Sequence, residues 1–246
     1  MDDQGWAARC AEAQRLARSL ETPDEDDLIR WALAAARAWG EVAACAHGSG
    51  DVAVRENALV RAAMAFQQLA ERLQAEKEEH PLVDISVVSD GILVAWAAGR
   101  DDVAAALGRL PTQRYRPRGR GKPDEPLMFA TFALASAARG NVPARDRAIA
   151  NAREAIAAGR TADLTRARGL LAPLLDALEA VARGRTKPLD RALAKLVRYH
   201  RWRCRDAETA HALLDVTATG LGRWAARQGV PSGLVDPLVA PLEAAP

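Results

Sequence analysis

The sequence predicts an all-α fold, and three observations carry that prediction. Ala and Leu dominate while aromatic residues make up only 4% of the 246-residue chain. Alternating β-branched runs of the kind strands need are almost absent. Clusters of Gly, Pro and Asp punctuate apolar stretches of helical length. Helix, short turn, helix is the repeating grammar, which implies an irregular multi-helix bundle or a TPR-like array of helical hairpins. No fixed repeat period with matching positions is present, so true repeats are not expected. A hydrophobic content of 49% suffices for a substantial core without covalent staples.

A first helix is expected over about 4–20. Thr22, Pro23, Asp24 and Glu25 then supply a cap, a first-turn proline and acidic residues, where free backbone N–H groups and the helix dipole favour them. That second helix carries Leu28, Trp31 and Ala35 and stops at the His47-Gly48-Ser49-Gly50 break. Asp51 opens a third, whose Leu59, Ala63, Phe66, Ala70 and Leu73 recur every three to four residues as a buried stripe. Residues 81–88 read as an extended connection, and Ser89-Asp90 as the cap of a helix through Trp96. Gly99-Arg100-Asp101-Asp102 turns into a further helix ending near Leu110-Pro111. Prolines and glycines in 112–126 make a continuous helix untenable there. Beyond it, helices are expected at 127–138, 142–158, 165–182 with a kink at Pro173, 188–202, 207–228 and 232–242. The chain thus divides into an acidic N-terminal helical half (1–111), a basic Pro/Gly-rich linker (112–126) and a C-terminal helical half (127–246), packed as one domain.

A net charge of +2 conceals an asymmetry. Residues 1–110 hold 11 Lys and Arg against 19 Asp and Glu, while residues 111–246 hold 23 against 13. One acidic and one basic surface follow, each able to steer a partner of opposite sign. The acidic face is assigned Glu21, Asp24, Asp26, Asp27, Glu71, Glu76, Glu78 and Glu79. The basic face combines Arg114, Tyr115, Arg116, Arg118, Arg120 and Lys122 of the linker with Arg198, Arg201, Trp202 and Arg205 of a later helix.

Chemistry-bearing patterns are thin. Cys45 with His47, and His200 with Cys204, have metal-ligand spacing, but no full ligand set is visible, so neither a metal nor another cofactor is expected. Cys204 has no base arranged beside it and reads as a spectator. Carboxylate pairs such as Asp101-Asp102 stand at helix starts, where the dipole explains them. Phosphate-loop and dinucleotide fingerprints are missing. No catalytic residue is assigned, and an enzyme is the least expected class. Trp31, Trp39, Trp96 and Trp224 lie in apolar helical surroundings that suit packing, whereas Trp6 and Trp202 stand among charges and suit a surface. Three cysteines, odd in number and far apart, argue for thiols in a reducing cytoplasm. An acidic N-terminus without an apolar core, and no apolar run of membrane length, argue against export and membrane insertion.

Two stretches resemble the long helical group of polymorphic-toxin immunity proteins, immunity family forty-nine. One runs from Val88-Ser89-Asp90-Gly91-Ile92-Leu93-Val94-Ala95-Trp96 to the Arg100-Asp101 turn and Leu110-Pro111. The other runs from Ala192-Leu193 through His200-Arg201-Trp202, then from Leu213-Leu214 to Gly229-Val230-Pro231, similar to a basic helix followed by a closing apolar one. The resemblance implies a non-enzymatic bacterial protein that binds and neutralises one cognate protein toxin. The competing reading is a helical scaffold or nucleic-acid-associated protein working through the basic loop and helix. Against it stand a small footprint, no known reading motif and a pI near 8.6.

Overall fold

A computed structural model describes residues 3–24, 27–75, 83–111, 124–161, 163–205 and 209–241. The described residues are mostly helical and include no strand. The elements are α1 (Asp3–Ser19), α2 (Leu28–Ser49), α3 (Val52–Ala75), α4 (Ile85–Ala97), α5 (Asp101–Gly108), α6 (Glu125–Ala138) and α7 (Val142–Ala157). Then α8 (Leu164–Arg166) runs through a π turn (Ala167–Leu171) into α9 (Ala172–Ala182), followed by α10 (Thr186–Cys204), a 3₁₀ turn (Ala210–Leu213) and α11 (Val216–Arg227). Two- or three-residue links with a glycine join α2 to α3, α6 to α7 and α9 to α10, so each pair is a helical hairpin.

Asp residues set several of the helix starts. Asp27, Asp84, Asp124, Asp163 and Asp215 each accept a backbone N–H from the first turn that follows, and Asn141 does the same for α7. Two expected caps are thereby corrected. The second helix starts at Leu28, not beside Thr22, because Asp24 instead closes a turn by accepting the Asp27 N–H. The segment read as extended is partly helix: α4 starts at Ile85 on Asp84, and Ser89 and Asp90 lie inside it. Short apolar runs fit either state, and here the buried partners of Ile85 and Val88 decide.

Helix α4 is the centre of the core. Ile85, Val88, Gly91, Ile92, Leu93, Ala95 and Trp96 are all buried, so the helix is apolar nearly all round and touches α3, α5, α6 and α11. Its closest neighbour is α11. Trp96 stacks on Trp224 with centroids 4.5 Å apart, and Gly220 lets the two backbones meet: a Cβ there would overlap the Leu93 carbonyl oxygen. Both stretches that carry the family resemblance therefore press against each other, and Arg227 seals the junction by pairing with Asp101 at 2.8 Å.

Two further sequence expectations fail in the C-terminal segment. Residues 207–228 are not one helix, since Asp215 caps a new start after the 3₁₀ turn. Residues 232–242 were expected to be helical, yet 230–241 run as a strap without helix, as Pro231, Pro237 and Pro241 remove backbone donors. Tertiary bonds replace the helical ones: Asp215 N–H donates to Leu238 O at 2.8 Å, Ala240 N–H to Thr219 Oγ1 at 3.2 Å, and Gly233 N–H to Asp190 at 2.9 Å. The expectation that the cysteines remain thiols is also corrected. Cys10 and Cys45 form a disulfide that ties α1 to α2, a link across 35 residues that spacing does not reveal. Among the described residues, no helix is long and apolar enough to cross a membrane.

The α4–α11 contact generates a paired prediction. Gly220→Ala forces the helices apart and destabilises the fold by about 2 kcal/mol or more in urea unfolding. Gly222→Ala, whose Cβ would meet Leu193 at an ordinary 3.7 Å, is neutral or stabilising by up to about 1 kcal/mol through helix propensity. Equal effects of the two substitutions would contradict the close contact.

Candidate functional site

The sequence offered two charged faces, and the structure treats them differently. On the acidic side, Asp26, Glu76, Glu78 and Glu79 lie outside the described residues. Glu21 pairs with Arg61 at 2.9 Å, and that guanidinium also lies over the Trp39 ring. Asp27 caps α2 and pairs with Arg30, while Asp24 accepts from the Asp27 backbone. Glu71 accepts from Gln67, about 15 Å along α3 from Arg61 at the ordinary helical rise. Each described carboxylate of this face thus has a local hydrogen-bond or ion-pair partner.

On the basic side, Arg114, Tyr115, Arg116, Arg118, Arg120 and Lys122 all fall outside the described residues. The helical part is well formed. A stripe of Leu189, Ala192, Leu193, Leu196 and Val197 buries one face of α10, which turns Arg198, Arg201, Trp202 and Arg205 to solvent. Arg201 is partly committed, forming two bonds to Asp236 of the strap at 2.8 and 2.9 Å. Trp202 is 50% exposed, the only tryptophan among the large exposed apolar residues described. Its ring centroid lies 5.7 Å from that of half-buried Tyr199.

Facing these rings is the π turn, which sequence reasoning did not anticipate. The proline at 173 was expected to kink a single helix. Instead the turn before it widens, with Ala172 N–H reaching five residues back to Ala167 O, and the proline enters the first turn of α9, where a missing N–H is tolerated. Gly169 sits in that turn against Tyr199, and a Cβ at 169 would collide with the ring. Arg168, Gly169, Pro173, Lys195, Arg198, Tyr199 and Trp202 line an open groove of about 490 Å³. The glycine four residues before a proline was the available signal, but pairing it with a tyrosine 30 positions later required the fold.

The other polar centres serve structure. Arg223 is 4% exposed and donates to both carboxylate oxygens of Glu56 (2.6 and 2.7 Å), to Ala97 O and to Pro241 O. Burial works to raise the Glu56 pKa, but hydrogen bonds and charge from Arg223 and Arg55 outweigh it and hold the carboxyl below its ordinary value. His47 lies beside this cluster. Its Nε2–H donates to Pro237 O at 2.8 Å while Nδ1 accepts from Arg55 at 3.4 Å, which selects the neutral tautomer. Cys45 is in the disulfide, so neither member of the Cys45/His47 pair is available to a metal, and no group of three His, Cys, Asp or Glu suited to a metal occurs among the described residues. Burial pushes the Cys204 thiol up, with the Arg203 charge opposing. A second groove of about 610 Å³ holds Asp90, Arg203 and His211 among apolar walls. Asp90 is exposed on this groove; desolvation around its carboxyl pushes it up to about 6, with the Arg166 charge countering.

A family model described as Immunity protein 49 matches residues 22–239, reaching well N-terminal of the two stretches that carried the resemblance. No curated protein and no solved structure matches the chain.

His47 yields a pH prediction. Burial depresses its pKa most; the Pro237 carbonyl opposes this, and the Arg55 charge adds to it, leaving the folded value below 6.5. The unfolded chain therefore takes up the proton first, and the His47 contribution to stability is present above pH 6.5 and is lost as pH falls below it. In NMR titration the ring stays neutral and Nε2-protonated at pH 6.5, and His47→Gln loses less stability than the parent between pH 7.5 and 5.5, both values chosen about one unit either side of the ordinary histidine pKa. A ring that charges at or above 6.5 contradicts the assignment.

Proposed function

The chain belongs to the Immunity protein 49 family, and on that premise we propose that it is a non-enzymatic inhibitor that binds and neutralises a cognate protein toxin. The match over residues 22–239 is the observation that carries the reading. The geometry supports it in kind. Where titratable side chains meet, at Arg223, Glu56, Arg55 and His47, they lock segments of the fold together and point at carbonyls and each other. Inhibition then works by occupancy: a rigid helical body covers a surface of the toxin. Tight recognition of this sort draws on shape and charge complementarity, with a few aromatic and arginine side chains carrying most of the energy.

The direct test mixes the purified chain with a candidate toxic domain, sought among the proteins encoded beside its gene. A stoichiometric complex that survives nuclease treatment, together with loss of toxicity when both are expressed in one cell, is the expected result. A chain that neither binds nor protects contradicts the reading, and one that protects at far below equimolar amounts points to turnover rather than occupancy.

A further inference from the structure

Resting on the inhibitor reading, we propose that the toxin docks through an acidic segment with an apolar anchor, seated in the groove where Trp202 and Tyr199 of α10 face Arg168 and Gly169 of the π turn. Three independent features point there. Trp202 keeps half its surface in water in a chain that buries Trp96 and Trp224, and a large exposed ring beside a second aromatic is a common mark of an interface. The groove, about 490 Å³, has an apolar floor of Pro173, Gly169 and Tyr199 and accepts a protruding side chain. Its rim is cationic and uncompensated: Arg168 and Arg198 have no ion pair among the described residues, and Lys195 reaches only Asp176, at 3.6 Å.

That last feature sets the chemistry of the occupant. Two neighbouring cations are matched, Arg153 by Asp176 and Glu179 and Arg183 by Glu179, whereas Arg185, Lys187 and Arg191 further along the hairpin have no ion pair among the described residues. At this groove the unmatched positive charge adjoins an exposed aromatic pair, so the complementary segment is acidic with an apolar anchor. Asp176 of α9, 3.6 Å from Lys195, sets a carboxylate at the edge of this rim, which suits a compact protein contact better than the run of phosphates along a nucleic acid. Trp, Tyr and Arg are also the residue types that dominate protein interfaces energetically. Gly169 acts as a positioning residue, since it alone allows the Tyr199 ring to lie against the π turn and define the groove wall.

The test is isothermal titration of the full chain with the same candidate toxic domain, at low and moderate salt, using variants whose substituted side chains are exposed in the fold. Trp202→Ala is expected to weaken binding about 30-fold or more, and the Arg168→Glu, Arg198→Glu pair about 100-fold with a shallower salt dependence. Glu71→Lys, on the other side of the charge split, leaves affinity within about threefold. Circular dichroism confirms folding, and the milder Arg168→Gln, Arg198→Gln pair replaces the reversal if that variant melts early. A parent chain that binds while both groove variants bind equally well overturns the face and leaves the inhibitor reading standing. Loss of binding in Glu71→Lys alone also overturns it. A parent chain that does not bind removes the inhibitor reading and the face together. Tight binding of the parent to a 20-base-pair duplex, abolished by the Arg168, Arg198 pair, reassigns the groove to nucleic acid; the length is about two helical turns.

Discussion

A single buried guanidinium holds the fold's distant segments in register. Arg223 on α11 is enclosed by Glu56 of α3, the carbonyl at the end of α4 and the Pro241 carbonyl of the C-terminal strap. A charge this far from water is tolerated only when its donors are met, and here hydrogen bonds and a two-oxygen ion pair meet them. The consequence is geometric. Segments more than 120 residues apart in the chain are fixed to one another by a group that any displacement would leave unsatisfied. Around it the Trp96–Trp224 stack and the Gly220 contact supply apolar area, while the Arg227–Asp101 pair closes the edge. These residues of the stretches that resemble the immunity family serve the frame of the molecule, while Trp202 of the same stretches stands at its surface.

That frame determines what the α9–α10 hairpin can show to solvent. Its apolar stripe is drawn into the same continuous core as α4 and α11, from Leu171 through Val197. The opposite face is left outside, and Pro173 shapes it: the π turn that accommodates the proline brings Gly169 under Tyr199 and opens a groove beside Trp202. The strap contributes as well. Asp236 engages Arg201, and Asp190 of α10 accepts from Ser232 and Gly233, so the helix that carries the proposed docking residues is held from two directions.

Much of this was legible in the sequence, for identifiable reasons. The long periodic helices α3, α7 and α10 were readable because burial at three- and four-residue spacing is a strong local signal. The exposure of Trp202 and the burial of Trp96 and Trp224 followed from their neighbours in the chain. Contacts between remote segments were not readable. Nothing local links Cys10 to Cys45, Glu56 to Arg223 or Gly169 to Tyr199. The strap was misread because Leu234, Leu238 and Val239 mimic helical spacing, whereas the prolines around them and the bonds from Asp215 and Ala240 favour an irregular path. Charge totals differ in sign between residues 1–110 and 111–246, but totals do not say which charges are already matched. The acidic residues of that face that the structure describes accept from local donors, Asp27 as a cap, Asp24 in a turn, Glu21 from Arg61 and Glu71 from Gln67, while Arg168, absent from the sequence-based face, has no ion pair among the described residues.

Amide hydrogen–deuterium exchange on the chain, free and saturated with the candidate toxic domain, tests the central claim most directly. It reads the contact surface without altering a residue. The account predicts slowed exchange in residues 164–173 and 195–205, the two walls of the groove, with the α4–α11 core unchanged. Protection confined to residues 21–31 and 61–72, with the groove walls exchanging as in the free protein, would contradict it.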